Sequence, residues 1–494
     1  YRHSMKKKQL RWTLWTIASP FILFIILCIL IYLPPIQNFL VDKAAVYASE
    51  ATGMNISVGR ISLSFPLNLV VTDVDAASPH KDTLLSVRRL QVNVQLLPLL
   101  KKQVEVDGIS LQGATVNSND LIHGMRLNGT LGELFISSHG VALDPETAIV
   151  NKVLLKDTDL SLCLNDTAAA DTAASDTTYW KIILQDIDLQ NVSFALDMPL
   201  DSLSLAASLD NATLRDGLID LHKSAYSLQT FRIKNGRVRY DSGRPSATAS
   251  ADSLSAGLDP SHIALTDIGV KLDSLYYEGR NMKAIISQFV LKERSGVEIV
   301  STEGRLVSND KVLRVPSLKL ETRDSYLELN AAMDWDALDF KKEGLVSARL
   351  MADIGKPDVV RFMGSMDEKF IRKYPSEPLR IRTGIDGDLN KLKLTTLTAE
   401  LPGALELFAK GELTSLTDSL LRGGDITLQA ETKDLKFIST LAEGIEIPYG
   451  TRLEGKFTMA GPKMGTDLLL MQPEAHAVAA ADTIPITVYN DSIS

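Results

Sequence analysis

The chain has 494 residues, 45% hydrophobic but only 6% aromatic, so its apolar material is mostly aliphatic. A formal net charge of -9 gives no electrostatic reason for binding nucleic acid, because phosphate neutralisation needs clustered Lys and Arg. Its two cysteines, Cys28 and Cys163, encode no disulfide framework.

The first segment reads as a membrane anchor. Residues 1–11 are a basic tail with Lys6, Lys7, Lys8 and Arg11, and Met5 is a natural start. From Trp12 to Leu33, through Phe21 and Phe24, there is no charge. At about 1.5 Å per helical residue this run reaches across a hydrocarbon core of roughly 30 Å. Pro20 is tolerated near the end of such a helix. The preceding cations keep the amino end cytoplasmic and send everything after Leu33 across the membrane. A cleaved signal peptide is the competing reading, and the length of the run and the lack of an A-x-A-like site argue against it. Residues 34–53 follow as an amphipathic helix: Pro35 suits a first turn, Ile36, Phe39, Leu40, Val46 and Tyr47 recur at helical spacing, and Gly53 ends it.

Residues 54–470 form one long β domain. Stretches such as "LQVNVQL", "FRIKNGRVRY" and "LKLTTLTAEL" alternate apolar and polar residues, which makes one sheet face greasy and the other wet. The alternation slips phase repeatedly. In "VEVDGISLQGATV" (104–116) apolar residues stand at 104 and 106, 109 and 111, 114 and 116; "IILQDIDLQNVSFA" (182–195) repeats the beat. Similar slips fall at Thr72-Asp73, Lys156-Asp157, Lys234-Asn235 and Thr266-Asp267. An extra polar residue predicts a bulge or corner that returns the apolar side chains to one concave side, so the sheet curls into a trough or tube. A two-residue hairpin competes, particularly at Asp107-Gly108. Roughly 30 strands stacked at about 4.8 Å would make a ribbon of about 140 Å, which a folded sandwich would halve.

Two interruptions stand out. Residues 165–178 are polar and of low complexity, a loop between strands. Residues 356–375 look helical, with Asp358 as cap and Val359, Val360, Met363, Met366 and Phe370 as an apolar stripe packed on the sheet. Beyond Met471 the alternation decays, and residues 471–494 are expected to be irregular, with a truncated or altered end.

Catalysis finds no support in the pattern. Seven scattered histidines form no zinc spacing, and Gln112 spoils the one near-match to a G-x-S-x-G elbow. Cys163 alternates out of phase with Leu160, Leu162 and Leu164 and so faces away from the greasy side. No cofactor is implied.

The passage "LPPIQNFLVDKAAVYASEATGMNISVGRISLSFPLNLVVTDVDA", followed by "LLSVRRLQVNVQLLPLLKKQVEVDGISLQGATVN", resembles the start of AsmA-like proteins, especially the TamB-like translocation and assembly module subunits of Gram-negative envelopes. The likeness covers about the first 120 residues; the rest is similar in texture only. It implies an inner-membrane, single-pass protein whose periplasmic part is an elongated, taco-like β groove conducting phospholipid acyl chains towards the outer membrane. It also implies a carboxy-terminal domain docking on an outer-membrane barrel, and that domain is not recognisable in this sequence.

From pattern alone, a groove and a dry sandwich core are equally good accounts of the greasy face; the resemblance favours the groove. Alternation places Ile56, Val58, Ile61, Leu63, Leu90, Val92, Val94, Val104, Val106, Ile109 and Leu111 on its lining. A second reading is a periplasmic scaffold that assists outer-membrane protein assembly through exposed strand edges. A polysaccharide-binding rod fits less well, because the chain is aromatic-poor.

Overall fold

The computed structural model describes residues 53–64, 68–78, 83–95, 106–118, 124–142, 146–165, 180–243, 257–338, 342, 344–363, 368–388, 390–416, 421–440, 449–461, 463–471 and 482–489, with Lys43, Ala45, Val46, Ser49 and Glu50. The expected anchor over 12–33, with Trp12, Phe21, Phe24 and Leu33, lies outside them, as does the loop over 166–178. Among the described residues no helix is long and apolar enough to cross a membrane. The described residues of segment 43–50 are helical. Gly53 ends that segment with φ 71° while its N–H donates to the Ser49 carbonyl at 2.9 Å. Val46, expected on the apolar stripe, is 53% exposed.

The chain divides into two compact units, residues 1–211 and 212–494. Strands dominate both, because β-branched and leucine-rich alternation suits a pleated, half-buried surface. In the first unit β1 (Asn55–Ser64), β2 (Asn68–Ala77), β3 (Thr83–Val94), β4 (Val106–Asn117), β5 (Met125–Ala142) and β6 (Thr147–Leu164) pair antiparallel in succession. β7 (Lys181–Met198) then joins β6 in parallel, Thr147 beside Lys181 and Cys163 beside Asp197.

The phase slips are corners within continuous strands. Asp73, Asp157, Asn235 and Asp267, the second residue of each slipping pair, have φ of 53°, 50°, 53° and 52°. Short polar side chains tolerate this left-handed conformation best after glycine. Asn191 and Gly113 do the same at φ 51° and 63°. In the first unit the corners align across the sheet: Gly59, Asp73, Arg88, Gly113, Gly132, Asp157 and Asn191 occupy matching places between paired neighbours, so the register on either side is unchanged. A bulge adds a residue to one strand; here every strand carries the extra residue, and the bend runs as a line. The slip at Asp107-Gly108 is different. Asn93 pairs with Gly108 and Val94 with Val106, leaving Asp107 as a true bulge inside β4 rather than a hairpin turn.

β8 (Leu203–Asp220) contains the boundary between units. The second unit continues with β9 (Ala225–Leu228), β10 (Thr230–Ser242), β11 (His262–Glu278), β12 (Asn281–Glu293), β13 (Glu298–Ser308), β14 (Val312–Thr322), β15 (Tyr326–Asp334) and β16 (Val346–Ile354). After a helical insert come β17 (Leu379–Gly387), β18 (Lys391–Leu401), β19 (Leu405–Thr414), β20 (Gly423–Thr432), β21 (Arg452–Ala460), β22 (Lys463–Met471) and β23 (Asp482–Tyr489). From β10 onwards each strand pairs antiparallel with the next. The described strands number 23 rather than roughly 30, because a corner keeps the chain in the same strand for up to 18 residues. β23 also corrects the expectation of an irregular end. Ile484, Ile486 and Val488 alternate, and Ile484 pairs with Leu468.

The insert is two short helices, α1 (Lys356–Met363) and α2 (Glu368–Lys373), rather than one helix over 356–375. Pro357 starts the first turn, and the N–H groups of Asp358 and Val359 both donate to the Gly355 carbonyl at 3.1 Å, so Asp358 is not the cap. It is instead fully buried, accepting hydrogen bonds from Ser325 Oγ (2.6 Å), Thr322 Oγ1 and Arg361 Nη1 (2.9 Å). α2 supplies the main aromatic core: Phe370, Tyr374 and Phe437 meet at ring-centroid distances of 5.2–5.7 Å, with Leu401, Ala404 and Leu435 around them.

Candidate functional site

Strand register assembles the aliphatic residues of the first unit into unbroken rows. Ile61, Val71, Leu90, Leu111, Leu134, Leu155 and Leu189 are successive cross-strand partners from β1 to β7. A parallel row runs through Leu63, Leu69, Val92, Ile109, Ile136, Val153 and Ile187. Beyond the corner line Val58 continues through Val74, Val87, Ala114, Leu131 and Thr158 to Val192, and Ile56 lies in the next row with Ala76, Leu85 and Val116. Thr158 is the polar exception, and its hydroxyl is satisfied by the Lys156 carbonyl at 3.2 Å.

Of the expected lining residues, Ile61, Leu63, Leu90, Val92, Ile109 and Leu111 thus share two adjacent rows, Ile56 and Val58 stand across the corner, and Val94 pairs with Val106 past the Asp107 bulge. Val104 lies outside the described residues. The reading missed Leu134, Ile136, Val153, Leu155, Ile187 and Leu189, which continue the same rows. The beat in residues 182–195 carried that signal, but pairing partners are invisible in a sequence.

Every member of the two principal rows is half-buried. The fully buried aliphatics of the first unit are few, among them Leu84 and Val87. A sheet face packed against a second sheet would bury its leucines almost completely; this face keeps them partly open.

The other face is mainly polar, although one of its rows also carries Val70, Phe135 and Leu154 between Ser62 and Asp188. Arg60, Thr72, Arg89, Gln112, Glu133, Lys156 and Gln190 form one cross-strand row. Beside the corner, Asn191 Nδ2 donates to Asp157 Oδ1 at 2.9 Å, and Ser193 Oγ donates to Asp159 Oδ2 at 2.7 Å. Cys163 belongs to this face as well, its thiol 3.2 Å from Asn165 Oδ1.

The second unit repeats the arrangement with a different texture. Leu327, Ala352, Ile381, Ala399, Leu407, Ala430 and Leu453 are successive partners from β15 to β21, beside Leu329, Leu350, Thr383, Leu397, Ala409, Leu428 and Gly455. Large and small residues alternate along and between these rows from β16 onwards. The leucines are half-buried, whereas Ala352 and Ala409 are each 2% exposed. Opposite them the wet face carries ion pairs such as Arg382–Asp353 at 2.8 Å and Lys433–Glu406 at 2.8 Å.

The Asp259 carboxyl is held below the usual range by hydrogen bonds from the Ser261 N–H and the His262 side chain, and this arrangement shapes the turn into β11. Among the described residues no group of three or more His, Cys, Asp or Glu is placed to hold a metal ion. Comparison with protein-family models, with curated proteins and with solved structures finds no match to this chain.

Proposed function

We propose that the aliphatic rows are a wall that shelters phospholipid acyl chains, and that the protein, anchored in the inner membrane through residues 12–33 with its bulk in the periplasm, conducts lipid towards the outer membrane in support of outer-membrane biogenesis. The anchor, the compartment and the curled groove are read from the sequence and its AsmA-like, TamB-like texture. One structural observation carries the reading: two aliphatic rows run unbroken from β1 to β7 with every member half-buried. Among the described residues such a surface is left partly open, and a methylene taken fully out of water gains about 0.8 kcal/mol. Contact on one side gives roughly half of that, enough to hold a chain and little enough to let it slide. Headgroups remain in water, and no residue is asked to do chemistry.

The scaffold reading needs a free strand edge. At the start of β1 that edge is already engaged, since the Ile56 N–H donates to Ser49 Oγ at 3.0 Å. Photo-reactive residues at Val92 and Ile109 of the full chain separate the two. Phospholipid adducts are expected; unfolded barrel proteins captured instead would support the scaffold, and capture of neither would make the rows a dry core.

A further inference from the structure

β6 and β7 run parallel, whereas the strands from β1 to β6 pair antiparallel in succession. A parallel pair cannot be closed by a tight turn. The chain leaves β6 after Leu164 and has to travel back to the level of Thr147, beside which Lys181 begins β7. Leu164 to Lys181 is as long a stretch of chain as Thr147 to Leu164. With a reach of at most about 3.6 Å per residue against a strand rise of about 3.3 Å, the return has almost no slack. It must pass directly over one face of the sheet at these two strands.

Hydrogen bonds at the strand ends decide which face. Cys163 and Asn165 share the polar face, and the Asn165 N–H donates to the Gly124 carbonyl on the β5 side at 2.7 Å. In a strand of L-residues that runs upward with the side chain towards the viewer, the N–H and C=O of that residue point to the viewer's right. Seen from the polar face, β5 therefore stands to the right of β6 and β7 to its left; seen from the aliphatic face, β7 stands to the right. The other end agrees: the N–H of exposed Lys181 donates to the Glu146 carbonyl on the β6 side at 3.0 Å. Connections between parallel strands of one sheet are right-handed in nearly every case, and a right-handed connection moves to the right on the face it covers. Here that face is the aliphatic wall. Charge points the same way. Residues 166–179 contain Asp166, Asp171 and Asp176 and no cation, and on the polar face of β6 and β7 carboxylates such as Asp157, Asp159, Asp186 and Asp188 outnumber the lysines.

We propose that residues 166–179, which lie outside the described residues, dock on the aliphatic wall of the first unit, crossing the rows at Leu155 and Val153 of β6 and at Leu189 and Ile187 of β7 on the way from Leu164 to Lys181. The β6–β7 part of the wall then has an occupant from the chain itself, made mostly of Ala, Thr and Asp. This assignment needs no lipid and stands apart from the function proposed above.

The test uses thiol pairs in the full chain, with Cys28→Ser and Cys163→Ser as background. Ala173→Cys, near the middle of the return, is combined in turn with Leu155→Cys or Leu189→Cys on the wall, and with Lys156→Cys or Gln190→Cys, their chain neighbours on the polar face. Crosslinking by a short bismaleimide is read by mass spectrometry of proteolytic fragments, and urea midpoints show that each variant is folded. Several-fold higher yields are expected with the two wall positions. Higher yields with Lys156→Cys and Gln190→Cys, equal yields on the two faces, or no crosslink at any of the four would overturn the docking. Phospholipid capture at Val92 and Ile109 is read separately, so failure here leaves the lipid-sheltering wall standing.

Discussion

A left-handed residue inside a strand is a local demand with few chemical solutions. Asp73, at φ 53°, meets it with a short carboxylate, and its neighbour on β1 is glycine: a Cβ at Gly59 would come within 2.9 Å of Asp73 Cβ. The same pairing recurs at Asp157, where a Cβ at Gly132 would stand 2.8 Å from Asp157 Cβ and 3.0 Å from two backbone carbonyls. Asp73→Gly is therefore expected to be tolerated, whereas Asp73→Val should cost about 1–2 kcal/mol through the left-handed penalty alone. Urea unfolding of the two variants checks this, and equal midpoints would contradict it. A second residue-scale expectation concerns Glu293, which is 7% exposed. Burial pushes its carboxyl up, but hydrogen bonds from Ser295 and from the Ala264 N–H outweigh this and hold it below its ordinary value of 4.5. A depressed folded value means stability that is present above the ordinary carboxylate range and lost as pH falls through the folded value. Glu293→Gln should flatten that acid limb in unfolding midpoints measured against pH; an unchanged limb would show that Glu293 does not contribute to it.

At the scale of elements, the α1–α2 insert is the part whose loss is easiest to measure. Phe370 is 2% exposed among Tyr374, Phe437 and Leu401, so Phe370→Ala should destabilise the second unit by about 3–5 kcal/mol. Asp358→Ala removes the acceptor shared by the Thr322 and Ser325 hydroxyls and one of the two carboxylates on Arg361, which keeps Asp324, so a smaller loss of about 1–3 kcal/mol is expected. Both are read by urea unfolding followed at a probe in the second unit, with a probe in the first unit unmoved. What was legible differs between elements for a physical reason. The corners were visible because a left-handed position admits few side chains, so the polar pair appears in the sequence. The helical character of 356–375 was visible from its apolar spacing, but the cap was misplaced: Asp358 has a capping side chain, and only the tertiary structure shows it turned inward towards Thr322 and Ser325. The parallel pairing of β6 with β7 left no mark, since Val153 and Leu155 alternate identically whichever direction their neighbour runs.

At the scale of the molecule, each unit separates a polar sheet face from an aliphatic one, and the second face is only half covered. The alternation of residues such as Leu90, Val92, Ile109 and Leu111 made that two-sidedness readable. Their assembly into continuous rows depends on register, which a single residue's slip would undo. Charge is the direct probe of what touches the rows: Leu111→Glu places a carboxylate beside Leu90 and Leu134 on a half-open face. Water reaches such a site, so the fold should survive, while any acyl chain lying across it would have to desolvate the charge. The measurement closest to the central claim is the quantity of phospholipid that stays with the purified full chain, determined by lipid extraction and mass spectrometry for the parent protein and for Leu111→Glu. The parent should retain phospholipid in at least stoichiometric amount and the variant much less at equal folded content. A parent protein that is folded and free of phospholipid would contradict the account.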